Sequence, residues 1–307
     1  MVEVHLVEIL RHLDPAQVDE LSRFVDDVGA AREERPMSDL LWLDLRSGGS
    51  DGFVLVRVAD GTGVVGLAQI SAANASSSIE VVVRADLVDD RRRAVHDDAL
   101  LTAVDAFRRS GGGHLVWWLD SDDVDNLAVA ERIGLTRGRR LLEMRRTVPH
   151  ERSASIETCG FRPGVDDRDW VIVNNRAFAD HLEQGDWTLD DVTARVAEPW
   201  FDAEGFRLHH RNERLAAFCW TKIHVDRRPP IGEIYVVAVD PDFQGTGLGE
   251  EIVLAGLDAI TARGVTTATL FVDGSNAAAI RLYDRLGFTV HRVRTACSGL
   301  QPDSSST

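Results

Sequence analysis

Apolar residues recur along the chain with helical and strand-like spacing in two successive series. In the first series we predict helices at 14–27, 36–44, 89–109 and 124–133, and strands at 52–59, 63–71, 79–83, 114–119 and 140–146. In the second series we predict helices at 167–179, 189–197, 249–263 and 276–286, and strands at 155–162, 206–211, 215–224, 233–239, 267–272 and 290–297. Helices interleaved with strands in this order predict an α/β (α+β) fold with one sheet in each series.

The two series read as copies of one unit. At an offset of 153 residues, Glu80 aligns with Glu233 and Gly134 aligns with Gly287. A chain of 307 residues is long enough for two domains of ordinary size, so an internal duplication explains its length. We expect an N-terminal domain at 1–148, a linker around 147–155, a C-terminal domain at 154–300 and a disordered polar tail at 301–307.

The segment 233–251, EIYVVAVDPDFQGTGLGEE, carries the clearest chemical signal in the chain. An apolar strand stops at Asp240, and Gly245, Gly247 and Gly249 then lead into an amphipathic run. Glycines let the backbone approach an anion without interference from Cβ atoms, and the start of the next helix directs free N–H groups to the same place. The segment therefore predicts a loop that binds a pyrophosphate.

Two commoner glycine-rich loops do not fit this segment. A P-loop needs a lysine and then a serine or threonine after its last glycine, whereas Gly249 is followed by Glu250. A dinucleotide fingerprint that started at Gly245 would need a glycine at position 250. The pattern that remains is Q-x-x-G-x-G after a strand.

A second motif follows at 275–288, SNAAAIRLYDRLGF. Ser275 or Asn276 can cap a helix that Gly287 ends, and Tyr283 lies on that helix. Together, the two motifs resemble those of the GCN5-related N-acetyltransferase (GNAT) superfamily. The resemblance implies tandem GNAT domains, each a mixed, splayed sheet flanked by helices, and acetyl-CoA as co-substrate. It implies that the cofactor contacts Val237, Ala238, Val239, Gln244, Gly245, Thr246, Gly247, Leu248, Gly249, Glu250, Asn276 and Arg281.

Within the superfamily, the second series is similar to the mycothiol synthase family, which acetylates the cysteine amine of cysteinyl-glucosaminyl-inositol in the last step of mycothiol biosynthesis. The segments 173–188, 200–202, 220–224 and 232–236 carry this resemblance. It implies that Glu183, Lys222 and Glu233 contact the acceptor, with Glu233 as base and Tyr283 as acid.

The chain departs from that family at two of the positions expected to contact the acceptor. Phe271 stands where the family has a tyrosine, so one hydroxyl contact is missing. Asp39 falls where the family has a first-domain glutamate and is shorter by one methylene. Both departures bear on the identity of the acceptor more than on the reaction.

The residues themselves suggest how acyl transfer would proceed. On the predicted strand 233–239, Glu233, Tyr235 and Val237 share one face. A carboxylate such as Glu233, directly or through water, can deprotonate an attacking amine. Tyr283 would protonate the leaving thiolate, and a strand N–H near Val237 would stabilise the oxyanion. We see no Cys-His or Ser-His-Asp arrangement in the sequence and expect direct transfer without an acyl-enzyme.

The first copy lacks the features that carry this chemistry. At the same offset, Ala94 replaces Gly247, His96 replaces Gly249, and Ala130 replaces Tyr283. We therefore expect a degenerate N-terminal domain and a catalytic C-terminal domain.

The composition of the chain argues against two classes of partner, nucleic acids and membranes. The formal net charge of −16 argues against nucleic acid. No apolar run is long enough to span a membrane, and no signal peptide is evident, so we expect a cytoplasmic protein without a membrane partner.

The dispersed Cys159, Cys219 and Cys297 indicate neither disulfides nor a metal site. Lys222 is the only lysine, and its ammonium suits a polyhydroxylated or anionic ligand. We expect a monomer whose two domains pack together and a small-molecule amine as acceptor.

Two other functions stay open. One is a GNAT enzyme that acetylates an aminoglycoside, a polyamine or a protein N-terminus. The other is a non-catalytic scaffold that binds acyl-CoA. The loss of the motif residues from the first copy suggests this alternative. The presence of both Glu233 and Tyr283 argues against the scaffold.

Overall fold

The structure is a computed structural model that describes residues 5–32, 36–73, 76–179, 185–225 and 227–301. The chain divides into two compact units. Unit 1 contains the chain up to Arg139 together with the segment from Arg294 onwards, and unit 2 contains Arg140–Val293. Within the described residues, no helix is long and apolar enough to cross a membrane.

Unit 1 is a sheet with helices on both faces. Its strands are β1 (Leu6–Leu10), β2 (Val54–Asp60), β3 (Gly63–Ala73), β4 (Ser76–Val83), β5 (Gly113–Asp120), the start of β6 (Thr136–Thr147) and the end of β12 (Thr289–Gln301). Its helices are α1 (Pro15–Arg32), α2 (Asp39–Arg46), α3 (Asp89–Arg109) and α4 (Val124–Arg132). The strand order is β1-β2-β3-β4-β5-β12, with β4 parallel to β5 and β12 antiparallel to β5.

Two apolar clusters hold unit 1 together, one on each face of its sheet. Alternate side chains of β2 point to opposite faces: Val54, Val56 and Val58 belong to the cluster of α3, whereas Leu55 belongs to the cluster of α1 and α2. All four side chains are fully buried. The sheet is therefore covered on both sides, which explains why its inner strands read as continuous apolar runs.

Unit 2 repeats this architecture. Its strands are the rest of β6, β7 (Cys159–Gly160), β8 (Phe206–Arg211), β9 (Arg214–His224), β10 (Ile231–Val239), β11 (Thr267–Asp273) and the start of β12. Its helices are α5 (Asp167–Ala177), α6 (Leu189–Val196), α7 (Leu248–Ala262) and α8 (Ala277–Arg285). The strand order is β6-β11-β10-β9-β8-β7, with β10 parallel to β11 and the other pairs antiparallel.

The two faces of the unit 2 sheet carry different cores. Helices α7 and α8 cover one face with aliphatic residues, including Ile252 and Leu257. Helices α5 and α6 cover the other with an aromatic cluster around Trp170 and Trp220. The rings of Trp170 and Trp220 are 5.7 Å apart in an edge arrangement, and both side chains are fully buried. We call these the aliphatic face and the aromatic face.

The division into units differs from the sequence halves 1–148 and 154–300. The last strand of each half lies largely in the unit of the other half: β6 pairs with β11 in unit 2, and β12 from Arg294 pairs with β5 in unit 1. The apolar residues of these strands explain the exchange, because Met144 of β6 is fully buried in the aliphatic core of unit 2 and Cys297 of β12 in the α3 core of unit 1.

Most predicted elements are present with small changes at their ends, and three expectations were wrong. The predicted strand at 155–162 is reduced to Cys159–Gly160 at the sheet edge. Strand β1 was not predicted, because four of its five residues are exposed and a short edge strand needs little apolar burial. The disordered tail expected at 301–307 begins one residue too early, because Gln301 ends β12, and residues 302–307 lie outside the described residues.

Candidate active site

Strands β10 and β11 separate in the middle of the unit 2 sheet. Their parallel pairing covers only Gly232–Ile234, opposite Ala268–Leu270. Both strands continue beyond this point, β10 to Val239 and β11 to Asp273. Beyond Ile234, the edge of β10 that faces β11 therefore has no strand partner among the described residues. This opening between the strands, which we call the splay, leaves main-chain groups of residues 236–239 available to a ligand.

A β-bulge lies where the splay begins. Ile234 pairs with Thr221 and Val236 with Trp220, so Tyr235 is the extra residue on β10. The bulge corrects one expectation from the sequence. Tyr235 belongs to the aromatic face, whereas Val237 packs with the aliphatic face. The two residues therefore do not share a face, because the extra residue reverses the alternation.

The predicted pyrophosphate loop follows β10. Asp240 accepts a hydrogen bond from the Asp242 amide, 2.9 Å away, and so caps a single 3-10 turn at Pro241–Phe243. Gly245 and Gly247 have φ values of +73° and +83°, in the left-handed region that favours glycine, and a Cβ on either would point into open space. Gly247 is also the residue that begins α7.

The main chain of this loop is free to bind an anion. Within the described residues, the amides of Gly245, Thr246 and Gly247 donate to no other protein group. The first amides of α7 add further donors, because an α-helix leaves its first N–H groups unpaired. One cationic group adjoins the loop, because an Arg211 Nη atom is 3.5 Å from Thr246 Oγ1. Arg281 is exposed on α8. The main-chain amides and Arg211 are therefore the donors that this loop offers to an anion.

Helix α8 places Tyr283 on the aliphatic side of the splay. Asn276 caps this helix by accepting from the Ala279 amide at 3.0 Å, as expected from the sequence. Tyr283 is buried and packs against Phe288 with the ring centroids 5.9 Å apart. Burial and the neighbouring Cys219 raise the pKa of the Tyr283 phenol well above its ordinary value. The phenol therefore keeps its proton at neutral pH and can donate it.

Glu233 and Lys222 lie on the aromatic side. They are direct partners in the β9–β10 ladder, and both are buried, with 9% and 6% exposure. The Lys222 ammonium lies 4.4 Å from the centre of the Trp200 ring and 5.4 Å from that of Tyr235. The structure thus brings together the predicted base and the only lysine of the chain.

His224 is a functional candidate that had no assigned role in the sequence. Its Nε2 atom is 2.6 Å from Oε2 of Glu233. Strand alternation could have identified it, because His224 is two residues from Lys222 and so faces the same side of β9. The imidazole fixes the orientation of the Glu233 carboxylate.

The remaining residues that were predicted to contact the acceptor lie on other elements. Phe271 is on β11 and 38% exposed. Asp39 lies in unit 1, at the first turn of α2. Burial and, to a much smaller extent, the charge of Asp39 raise the pKa of Glu80, the unit 1 counterpart of Glu233. Glu183 lies outside the described residues.

Unit 1 has the same kind of splay, and side chains stand where unit 2 has loop glycines. The pairing of β4 with β5 stops at Ile79, just as that of β10 stops at Ile234. In place of the glycine at position 249, His96 carries an imidazole ring that stacks on Trp117 with the centroids 5.9 Å apart. The arginines at the start of α3 contact protein groups: Asp60 for Arg91, the Ala85 carbonyl for Arg92, and Asp125 and Asn126 for Arg93.

Comparison with known proteins agrees with this geometry. Residues 174–288 match the model of the acetyltransferase (GNAT) family. A mycothiol acetyltransferase of Thermomonospora curvata is 44% identical over 84% of this chain and 85% of its own length. A mycothiol acetyltransferase of Thermobispora bispora is 40% identical over 83% of this chain and 86% of its own length.

This chain belongs to the mycothiol acetyltransferase family. A solved tandem GNAT protein from the clavulanic acid biosynthesis pathway has the same fold, with a TM-score of 0.67 and 15% identity over 98% of this chain and 100% of that chain. The predicted tandem GNAT fold and the acetyltransferase activity are thus confirmed for this member of the mycothiol acetyltransferase family. The roles of individual residues stay predictions.

Proposed function

We propose that the protein transfers the acetyl group of acetyl-CoA directly to the cysteine amine of cysteinyl-glucosaminyl-inositol, in the last step of mycothiol biosynthesis. The observation that carries this proposal is the splay of unit 2, with a glycine loop at one end, Glu233 on one face and Tyr283 on the other. A thioester placed in that opening would be reached by an acceptor from the aromatic side and by a phenol from the aliphatic side.

The loop and the open edge of β10 would hold the cofactor. Amides of residues 245–250 suit the diphosphate, and the main chain of Val237, Ala238 and Val239 suits the pantetheine amides, which pair like a short strand. Gln244 supports this segment, since its side-chain amide donates to the Val239 carbonyl over 3.3 Å. On α8, Asn276 and Arg281 complete the proposed set.

Glu233 acts as the base in this mechanism. The acceptor amine is partly protonated at neutral pH, and only its free lone pair attacks the thioester carbon. Glu233 accepts the amine proton while His224 holds the carboxylate, and the new C–N bond forms as the carbonyl oxygen becomes an oxyanion. A main-chain N–H near Val237 stabilises that oxyanion.

Tyr283 acts when the tetrahedral intermediate collapses. The C–S bond breaks, the electron pair stays on sulfur, and the phenol donates its proton to the departing thiolate. The phenol is neutral before the sulfur gains charge, so Tyr283 carries the proton that the departing thiolate takes up. The products are CoA with a free thiol and an acetylated amine.

Release of CoA thiol with a panel of amines tests the proposed acceptor. We expect the highest kcat/KM with cysteinyl-glucosaminyl-inositol. A preference for an aminoglycoside, a polyamine or an N-terminal peptide would identify a GNAT enzyme of another specificity. Binding of acetyl-CoA without turnover of any amine would favour a scaffold. Action as a cytoplasmic monomer stays a prediction from the sequence.

A further inference from the structure

A row of polar side chains crosses the aromatic face of unit 2. Lys222 pairs with Glu233, Glu233 with Thr269, and Thr269 with Arg145 in successive strand pairings. Directly paired residues point to the same face of a sheet, so these four side chains lie side by side. Arg145 is two strands from Glu233, about 9–10 Å away at the usual strand spacing. The row extends beyond the predicted base to a residue of β6.

A buried carboxylate holds Arg145 in place. Nε and Nη2 of Arg145 lie 2.7 Å and 2.6 Å from Oε1 of Glu143, whose side chain is only 2% exposed. The hydroxyl of Thr269 contacts the same carboxylate oxygen at 3.4 Å. A rigid guanidinium loses little entropy when it binds a ligand, because its orientation is already fixed.

This guanidinium is also accessible. The Arg145 side chain is 22% exposed, and Phe271, which pairs with Glu143 in the β6–β11 ladder, is 38% exposed. Phe271 is the position at which a substrate contact is expected. The exposed surface therefore joins an apolar ring to a fixed fork of donors, a combination suited to a sugar or cyclitol ring with neighbouring hydroxyls.

We infer that Arg145 binds vicinal hydroxyls of the acceptor, on the part of that molecule distant from the reacting amine, and that Glu143 is its positioning residue. The inference rests on the proposed function, in which the amine lies at Glu233. When the amine lies at Glu233, Arg145 is two strands away, on the side where we place the glucosaminyl-inositol portion of the acceptor. Arg145 was not predicted from the sequence, because β6 belongs to the first sequence half.

Steady-state kinetics with two acceptors tests this role. Cysteinyl-glucosaminyl-inositol carries the hydroxyls, and cysteine amide carries the same amine without them. We expect Arg145→Ala to raise the KM for the hydroxylated acceptor roughly 10- to 100-fold, the range for lost hydrogen bonds to a charged group, and to leave kcat/KM for cysteine amide unchanged. Arg145→Lys, which keeps a cation beside Glu143, and Glu143→Gln should give smaller increases in the same KM.

Arg140→Ala is the matched control, because Arg140 is exposed on the same strand but faces the aliphatic side with Leu142 and Met144. This variant should leave the KM and kcat for both acceptors unchanged. Equal losses for both acceptors with Arg145→Ala, or no loss for either, would overturn the inference.

Calorimetric binding of glucosaminyl-inositol, which lacks the cysteine, gives a readout that needs no turnover. We expect binding to the wild-type protein and at least tenfold weaker binding to Arg145→Ala. No binding to the wild type, or equal binding, would overturn the inference. Failure of the proposed function would instead appear as a wild-type enzyme that binds this ligand but releases no CoA thiol.

Discussion

At the scale of single residues, the proposed acid and the proposed base lie on the two faces of one sheet. Glu233 is fixed by His224 on the aromatic face, and Tyr283 is buried against Phe288 on the aliphatic face. Each side chain is thus held by its own neighbours, and the splay between β10 and β11 is the place where both could meet one thioester. Two substitutions, one at Tyr283 and one at Lys222 beside Glu233, test the proposed acid and the proposed acceptor contact separately from cofactor binding.

Tyr283→Phe should lower kcat on the order of 100-fold, because the leaving sulfur loses its proton donor. The affinity for acetyl-CoA should stay unchanged, since the ring still packs against Phe288. Rapid-quench kinetics together with equilibrium binding measures both quantities. Tyr235→Phe is the matched control, because it changes the only other tyrosine of the chain, whose hydroxyl accepts a hydrogen bond from Arg195 at 3.1 Å. Full activity of Tyr283→Phe would disprove the acid role.

Lys222→Met should raise the KM of the acceptor about tenfold and leave the KM of acetyl-CoA unchanged. Methionine keeps a long side chain over Trp200 but removes the ammonium that hydroxyl or anionic groups of the acceptor would contact. Initial rates with each substrate varied in turn give the two constants. An increase confined to the KM of acetyl-CoA would place Lys222 on the cofactor side.

At the scale of elements, we propose that the loop between β10 and α7 binds the cofactor through its backbone. Gly247→Ala places a Cβ where the diphosphate would approach and forces an L-residue to a φ of +83°. We expect the unfolding free energy to fall by about 1–2 kcal/mol and the Kd of acetyl-CoA to rise at least tenfold.

Gly264→Ala is the control for backbone strain. Gly264 follows the other end of α7 with a φ of +73° and open space around its Cβ position. This variant should lose the same stability in a denaturant titration and keep the wild-type Kd. If both variants bound acetyl-CoA as tightly as the wild type, the loop would not be the diphosphate site.

The sequence predicted most elements of the site, and the exceptions have physical causes. The loop glycines, the Asn276 cap and the Lys222–Glu233 strands depend on local chemistry, which the sequence displays directly. The bulge at Tyr235 depends on pairing with β9, and the contact of His224 with Glu233 depends on the register between two strands. Neither the bulge nor this contact can be predicted from the alternation of side chains along a single strand.

At the scale of the whole molecule, the chain consists of two units of similar architecture, and we propose that only unit 2 has a functional cofactor loop. The repeat was evident in the sequence, but the assignment of β6 and β12 to units was not, because it depends on which core buries Met144 and Cys297. One consequence is that Glu143 and Arg145 of the first sequence half lie on the aromatic face of unit 2, beside Thr269.

Unit 1 should contribute no second cofactor site. His96 and Trp117 are stacked where unit 2 has Gly249 and Leu270, and the arginines at the start of α3 are bound to carboxylate, amide or carbonyl oxygens. An anion at this helix start would have to displace those contacts and would meet side chains in place of bare main-chain amides.

Calorimetric titration of acetyl-CoA into the full-length protein tests the central claim most directly. The claim is that the glycine loop of unit 2 alone binds the cofactor. We predict one site per chain in the wild type, the same single site with unchanged affinity in Gly264→Ala, and at least tenfold weaker binding in Gly247→Ala. Two sites per chain, no heat of binding, or wild-type affinity in Gly247→Ala would contradict it.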